Sequence, residues 1–61
     1  MTYSELEKLL RKNGCQIRRE GKGHTIWFSP QTGKQFTVGR HKTQEVPKGT
    51  LKSIKGAAGL E

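Results

Sequence analysis

His24 is the side chain best suited to acid–base chemistry in this sequence. It follows a glycine-rich turn at residues 21–23 and precedes the segment 25–29, whose three central residues are apolar and which is typical of a β-strand. An imidazole titrates near neutral pH, so it can accept or donate a proton where most side chains cannot. Twelve Lys and Arg against five acidic residues give a net charge of +7, which attracts polyanions. The sequence therefore predicts a polyanion such as RNA as the ligand, with His24 best placed to act on it.

Size and composition narrow the class of protein. The 61 residues suffice for one domain, 1–61, which buries only about 60% of the surface of its unfolded chain. The sequence contains neither an apolar stretch of about 18 residues nor a signal peptide, so we expect a soluble, cytoplasmic protein without membrane contact. The single cysteine, Cys15, excludes an internal disulfide and a Cys-rich zinc site, and its position predicts a small buried apolar group.

The opening segment has the pattern of an amphipathic helix. Ser4 with Glu7 fits a capping box, in which a hydroxyl and a carboxylate bond the first free amides, and Thr2 with Glu5 is a competing cap. An Asn-Gly pair at residues 13–14 predicts the end of the helix. The apolar residues at helical spacing are Tyr3, Leu6, Leu9 and Leu10.

Three short strands are predicted next. Residues 15–20 begin with polar and apolar side chains in alternation, and a second strand starts near His24. After a turn at residues 30–33, the alternation resumes over 34–38. Consecutive short strands of this kind form an antiparallel meander.

A second helix is predicted near the end of the chain. A polar loop over residues 39–45 leads to Pro47, which suits the start of a helix because its missing amide is not needed there. Helical spacing continues to Gly59, where the helix should end. The apolar residues that carry this spacing are Leu51, Ile54, Ala57 and Ala58.

The predicted fold is α+β, in the order α-β-β-β-α, with both helices on one face of a three-stranded antiparallel sheet. The other face would stay open. If His24 lies on that open face, alternation places Ile26 and Phe28 beside it and turns Thr25 and Trp27 inward. A partly apolar open face predicts a protein partner that contacts His24, Ile26 and Phe28. A twist or bulge that buries Phe28 elsewhere is the competing interpretation.

Together these segments resemble the HicA-type mRNA interferases, the toxins of bacterial toxin–antitoxin pairs. The resemblance covers essentially the whole chain and depends on the order and spacing of several pieces. The pieces are the Leu-rich helix ending at residues 12–14, the glycine turn before His24, residues 37–38 followed by His41, and the closing segments 47–54 and 58–60. Glu61 is interpreted either as native or as part of a cloning join, so no function is assigned to it.

The resemblance implies a fold similar to double-stranded-RNA-binding domains and an endoribonuclease that cuts mRNA and arrests growth. It also implies a HicB-type antitoxin as partner, and a catalytic role for His24, which the antitoxin would hide. The family commonly has Gly-Ser before this histidine, whereas Lys22 and Gly23 stand here. If the serine hydroxyl assists at the phosphate in other members of the family, Lys22 or a backbone amide would have to take its place in this chain.

The expected chemistry is attack by the RNA 2′-hydroxyl on the adjacent phosphorus, with His24 transferring protons. Lys22, Arg18 or Arg19 would neutralise the developing charge, and the product would end in a cyclic phosphate. His41 or a lysine is the candidate second proton donor, although a solvated loop residue is the simpler interpretation of His41. The residues expected to bind phosphate are Lys22, Arg18, Arg19, Lys34, Arg40, His41 and Lys42.

Several alternatives stay open. Without the resemblance, a surface residue at a turn is the simpler interpretation of His24. A noncatalytic RNA-binding module, or a purely protein-binding module that holds an acidic partner, would also explain the charge. No cofactor is expected. A two-metal nuclease is disfavoured because the five Glu residues are dispersed in the sequence, and His24 with His41 makes a poor zinc set.

Overall fold

The computed structural model describes residues 1–60 as a three-stranded antiparallel sheet flanked by two helices. The elements are α1 (Tyr3–Lys12), β1 (Gln16–Glu20), β2 (His24–Ser29), β3 (Lys34–Gly39) and α2 (Lys48–Ala58). The strands lie side by side in chain order, β1-β2-β3. The predicted order and the antiparallel meander are confirmed. Glu61 lies outside the described residues.

Helix α1 is capped by Thr2 and not by Ser4. The Thr2 hydroxyl accepts a hydrogen bond from the Glu5 amide at 3.3 Å, and the Glu5 carboxylate accepts one from the Thr2 amide at 2.7 Å. The Thr2–Glu5 capping box is therefore confirmed, and the alternative box of Ser4 with Glu7 is wrong. Thr2 has an extended backbone, as an N-cap requires, whereas Ser4 is already the second residue of the helix.

One hydrophobic core joins both helices to the same face of the sheet. Trp27, the largest of the fully buried side chains, projects from the central strand toward this core. Cys15 is buried with a free thiol, as predicted for a small apolar group. The core comprises Tyr3, Leu6, Leu10, Cys15, Trp27, Val38, Val46, Ile54 and Ala58. The predicted placement of the two helices on one face is confirmed.

Helix α2 is tied to the sheet at its C-terminal end. The buried Ser29 hydroxyl, at the end of β2, donates a hydrogen bond to the Ala58 carbonyl at 2.7 Å. Gly59 then adopts a left-handed conformation with φ of 79°, which ends the helix at the predicted position. Within residues 1–60, no helix combines the length and apolar character needed to cross a membrane.

A β-bulge in β1 changes which side chains face outward. Ile17 pairs with Trp27, but the next pair is Arg19 with Ile26, so Arg18 is the extra residue. Strict alternation would point Arg19 toward the helices and Glu20 outward. Because directly paired residues share a face, the bulge puts Arg19 on the open side with Ile26 and turns Glu20 to the helix side. The alternation predicted for this strand therefore holds only as far as the bulge.

Candidate functional site

The turn between β1 and β2 sets the position of His24. The Gly21 amide donates a hydrogen bond to the His24 carbonyl at 2.9 Å, which closes the turn. Gly23 has a φ of 74°, a left-handed conformation that glycine adopts without strain. His24 is the first residue of β2 and is exposed to solvent. The sequence of the turn thus produces an accessible imidazole at the start of a regular strand.

Burial along β2 follows strict alternation. Thr25 and Trp27 are buried on the helix side, whereas His24 is exposed and Ile26 and Phe28 are half-buried. The predicted assignment of these five residues to the two faces is confirmed. The imidazole lies close to Gly21, because a Cβ placed on that glycine would be 3.5 Å from His24 Nε2. With a glycine at position 21, that residue places no side chain against this nitrogen.

Among residues 1–60, the face of the sheet opposite the helices carries no carboxylate. Glu20 pairs with Thr25 on the helix side, and the other described Glu residues lie in α1 or in the loop before α2. The bulge therefore both removes an acid from this face and adds a cation to it. The residues of this surface, called the open face below, are Gln16, Arg18, Arg19, His24, Ile26, Phe28, Gln35 and Thr37.

The open face is less apolar than the sequence predicts. The Arg18 guanidinium carbon lies 4.5 Å from the centroid of the Phe28 ring, a cation–π arrangement that covers part of the ring. Phe28 and Ile26 are half-buried, and neither belongs to the strongly exposed apolar residues of the described chain. The expected apolar patch is therefore a mixed surface of guanidinium and partly covered apolar side chains.

Arg40, the residue that follows β3, bonds to the glycine turn. Its Nη1 donates a hydrogen bond to the Gly21 carbonyl at 2.5 Å, and its backbone amide donates to the Gly23 carbonyl at 3.3 Å. Its Nη2 lies 3.7 Å from Glu20 Oε1. The sequence predicts phosphate binding for Arg40, but in the free protein its guanidinium is already bonded to this turn.

The other predicted cations occupy different places. Lys22 is exposed at the tip of the turn before His24. Lys42 lines a cleft on the helix side together with Arg40 and Glu20. Lys34 pairs with Ser29, at the opposite end of β2 from His24. Of the predicted phosphate-binding residues, Arg18, Arg19 and Lys22 are therefore the ones that lie on the open face or in the turn beside His24.

His41 lies close to the strand partner of His24. Gly39 pairs with His24 in the sheet, and a Cβ placed on Gly39 would be 3.4 Å from His41 Cδ2 and 3.4 Å from Tyr3 Cε1. The His41 and Tyr3 rings pack edge to face with centroids 6.2 Å apart. His41 is exposed, as expected for a loop residue, but it is held against α1 rather than free in solvent.

The described residues offer little to a metal ion. No group of three or more His, Cys, Asp or Glu side chains in residues 1–60 is placed to hold one. His24 lies on the open face, whereas the His41 ring packs against Tyr3 of α1. The chemistry available at this site is therefore proton transfer by imidazole combined with charge neutralisation by arginine and lysine.

Comparison with known proteins identifies the family. The family model described as the HicA toxin of bacterial toxin–antitoxin systems matches residues 3–60. The chain belongs to the HicA toxin family. The resemblance inferred from the sequence is thereby confirmed, and this toxin is expected to have an antitoxin as partner. No curated protein and no solved structure matches the chain.

Two features of the toxin's site lie beyond the sequence patterns. The bulge at Arg18 has no distinctive sequence signal, since both Arg18 and Arg19 are equally suited to an exposed position. The bond from Arg40 to Gly21 joins residues 19 positions apart, and local patterns do not indicate such a contact. The sequence gives one indication of this contact. Glu20 lies directly before the glycine turn, and Arg40 follows the next hairpin.

Proposed function

We propose that this toxin is an endoribonuclease that cleaves mRNA, and that His24 is its general acid–base. The observation that carries the proposal is the exposed imidazole of His24 on a face that presents Arg18 and Arg19 and, within residues 1–60, no carboxylate. A polyanion attracted by the net charge of +7 would meet this face without repulsion from an acid. The proposal places the toxin in the cytoplasm, where it would block translation.

In the proposed reaction, the 2′-oxygen of the RNA attacks the adjacent phosphorus while His24 accepts the hydroxyl proton. The bond between phosphorus and the 5′-oxygen of the next nucleotide breaks, and that oxygen takes up a proton. Arg19, which pairs with Ile26, or Lys22 in the turn stabilises the charge that develops on the phosphorane, whereas Arg18 lies over Phe28 toward the other end of β2. The products are a 2′,3′-cyclic phosphate and a 5′-hydroxyl, and the reaction consumes no water and needs no metal ion.

The proton for the leaving oxygen has two candidate sources. His24 can return the proton that it accepted, since one imidazole can act as base and then as acid. His41 is the second candidate, because its ring lies beside Gly39, the strand partner of His24. We assign His41 the lesser role, as its ring is packed against Tyr3.

The antitoxin is proposed to be a HicB-type protein that covers the open face. His24, Ile26 and Phe28 are aligned on one side of β2 and are accessible or half-buried in the free toxin. A partner that packed on Ile26 and Phe28 would also block access to His24. An acidic surface on that partner would complement Arg18 and Arg19.

The decisive experiment is RNA cleavage by the purified toxin in the presence of EDTA. We expect discrete fragments with cyclic phosphate ends, and a loss of about 10²–10⁴-fold in rate for His24→Ala. Because His24 is exposed, this variant should fold, which circular dichroism checks. Lys52→Ala, an exposed change on α2, is the matched control and should cleave normally.

The outcomes separate the competing functions. Cleavage by His24→Ala at the wild-type rate would contradict the assignment of His24, and a larger loss for His41→Ala would move the chemistry to His41. RNA binding without cleavage would indicate a noncatalytic RNA-binding module. Such binding should weaken with salt, with a log–log slope near −3 if about four phosphates of a single strand are contacted. Failure to bind RNA would leave a purely protein-binding role.

A cellular test addresses the toxin's effect on growth. Expression of the wild-type chain should arrest growth, and His24→Ala should relieve the arrest. Co-expression of the antitoxin should also relieve it, without changing the amount of toxin. Arrest that persists with His24→Ala would show that toxicity does not depend on this imidazole.

A further inference from the structure

Arg18 and Phe28 form a stacked pair on the open face. The guanidinium carbon lies 4.5 Å from the ring centroid, so the two groups are in contact. Phe28 is half-buried, which fixes the ring, whereas Arg18 is exposed. The bulge at Arg18 separates this residue from the regular ladder of β1 and β2. The open face therefore carries a planar cation that lies over an aromatic ring and is accessible to solvent.

Planar groups of this kind bind nucleic acid bases by stacking. Unpaired bases stack on aromatic rings and on arginine guanidinium planes, and this stacking tolerates any base because each has a π face. Bases inside an A-form duplex are not available for such a contact. Phosphate binding alone would require neither the ring of Phe28 nor its alignment with Arg18.

We propose that the open face binds RNA as an unpaired strand, with one base stacked on the Arg18–Phe28 pair and a neighbouring phosphodiester at His24. This inference rests on the proposed function, since it specifies how the same site takes its substrate. His24 and Phe28 lie on one face of β2 four residues apart, a distance of about 13 Å along the strand. The stacked nucleotide is thus close to the cleaved bond without being part of it.

The side chains between these two points suit unpaired bases. Ile26 lies midway between His24 and Phe28 and offers an apolar contact. Thr37 pairs with Ile26, and Gln35 pairs with Phe28, so a hydroxyl and an amide flank the path of the strand. Such groups can hydrogen-bond base edges, which are exposed in single-stranded RNA. A face of this composition favours a single strand over a duplex, whose outer surface is mainly phosphate and ribose.

The test measures RNA binding in a His24→Ala background, so that the RNA stays intact. The probe is a short single-stranded oligoribonucleotide in which each position is replaced in turn by an abasic nucleotide. We expect one position at which loss of the base weakens binding by about 5–140-fold, the range for a single stacked base. The same sequence as a blunt duplex should bind more weakly than the single strand.

The residues responsible are tested with two substitutions. Phe28→Leu keeps an apolar side chain but removes the ring, and Arg18→Lys keeps the charge but removes the plane. Either change should weaken binding of the intact strand and abolish the penalty for the abasic position. Lys52→Ala should keep both the affinity and the penalty. Because Arg18 is exposed, its variant tests the proposal even if Phe28→Leu perturbs folding.

Two results would overturn the stacking proposal. One is an abasic series with no sensitive position, and the other is a duplex that binds as tightly as the single strand. Neither depends on catalysis, because binding is measured with an inert variant. If one of these results is obtained while the wild-type toxin cleaves RNA and His24→Ala does not, the stacking proposal fails and the proposed function is still supported. A sensitive position together with no RNA cleavage by the wild-type toxin would support stacking and contradict the proposed endoribonuclease activity.

Discussion

Arg40 and Gly21 are joined by a hydrogen bond of 2.5 Å from the guanidinium to the turn carbonyl. The bond links the end of β3 to the turn that precedes His24. Gly21 in turn bonds the His24 carbonyl through its amide. Arg40 therefore acts on the position of His24 through the turn rather than by contact with the imidazole, which makes it a candidate positioning residue.

Arg40→Ala should lower RNA cleavage by about tenfold, since a displaced catalytic group can cost up to about 10²-fold in rate. Arg40→Lys keeps the charge but cannot form the same set of bonds, so it should lose nearly as much. Amide hydrogen exchange measured by NMR should become faster at Gly21 and His24 in both variants. If exchange at these amides is unchanged while cleavage falls, Arg40 acts on the RNA directly, as the sequence alone predicts.

The two glycines of the turn should respond differently to alanine. Gly23 has a left-handed φ of 74°, so Gly23→Ala should destabilise the fold by about 1–2 kcal/mol in denaturant unfolding. Gly21 has no such constraint, and its new Cβ would be 3.5 Å from His24 Nε2, an ordinary contact. Gly21→Ala should therefore keep the free energy of unfolding but lower RNA cleavage. Equal destabilisation by the two changes would contradict this account of the turn.

The hydroxyl of Ser29 should contribute strongly to stability. It is fully buried and donates to the Ala58 carbonyl at 2.7 Å. Ser29→Ala should lower the free energy of unfolding by about 1–3 kcal/mol, because a buried carbonyl loses its partner. Thr32→Ala removes a similar bond to Ala57 and one accepted from the Lys34 amide, but both are exposed, so it should cost less. A smaller loss for Ser29→Ala than for Thr32→Ala would show that burial does not decide the effect.

Much of this fold follows from local sequence patterns. Alternation around Trp27 assigns β2 correctly to its two faces, because a half-buried strand in a two-layer fold has a strict period of two. Asn13 and Gly59 mark the helix ends, since local backbone geometry decides where a helix stops. These features depend on neighbours in the chain and so can be deduced without tertiary contacts.

The electrostatics of the open face cannot be deduced in this way. Whether Arg19 or Glu20 faces outward depends on the bulge, which pairing with β2 determines. The partial cover of Phe28 by Arg18 is a contact between two strands, which alternation within β2 does not indicate. A prediction from alternation within β2 alone therefore makes the open face too apolar, because it leaves out Arg18 of β1, which lies over Phe28.

The capping box of α1 predicts a specific loss of stability in acid. The hydrogen bond from the Thr2 amide holds the pKa of Glu5 below its ordinary value of 4.5. A carboxyl with a lowered pKa stabilises the fold above its unfolded pKa, and this contribution is lost as the pH falls through the folded pKa. Denaturant unfolding between about pH 6 and about pH 3 should therefore show a steeper decline in the free energy of unfolding for the wild type than for Glu5→Gln, which cannot titrate.

Ser4→Ala is the control and should show the same decline as the wild type, because Ser4 lies inside the helix and is not its cap. Parallel pH profiles for the wild type and Glu5→Gln would contradict the role of this carboxylate in the cap.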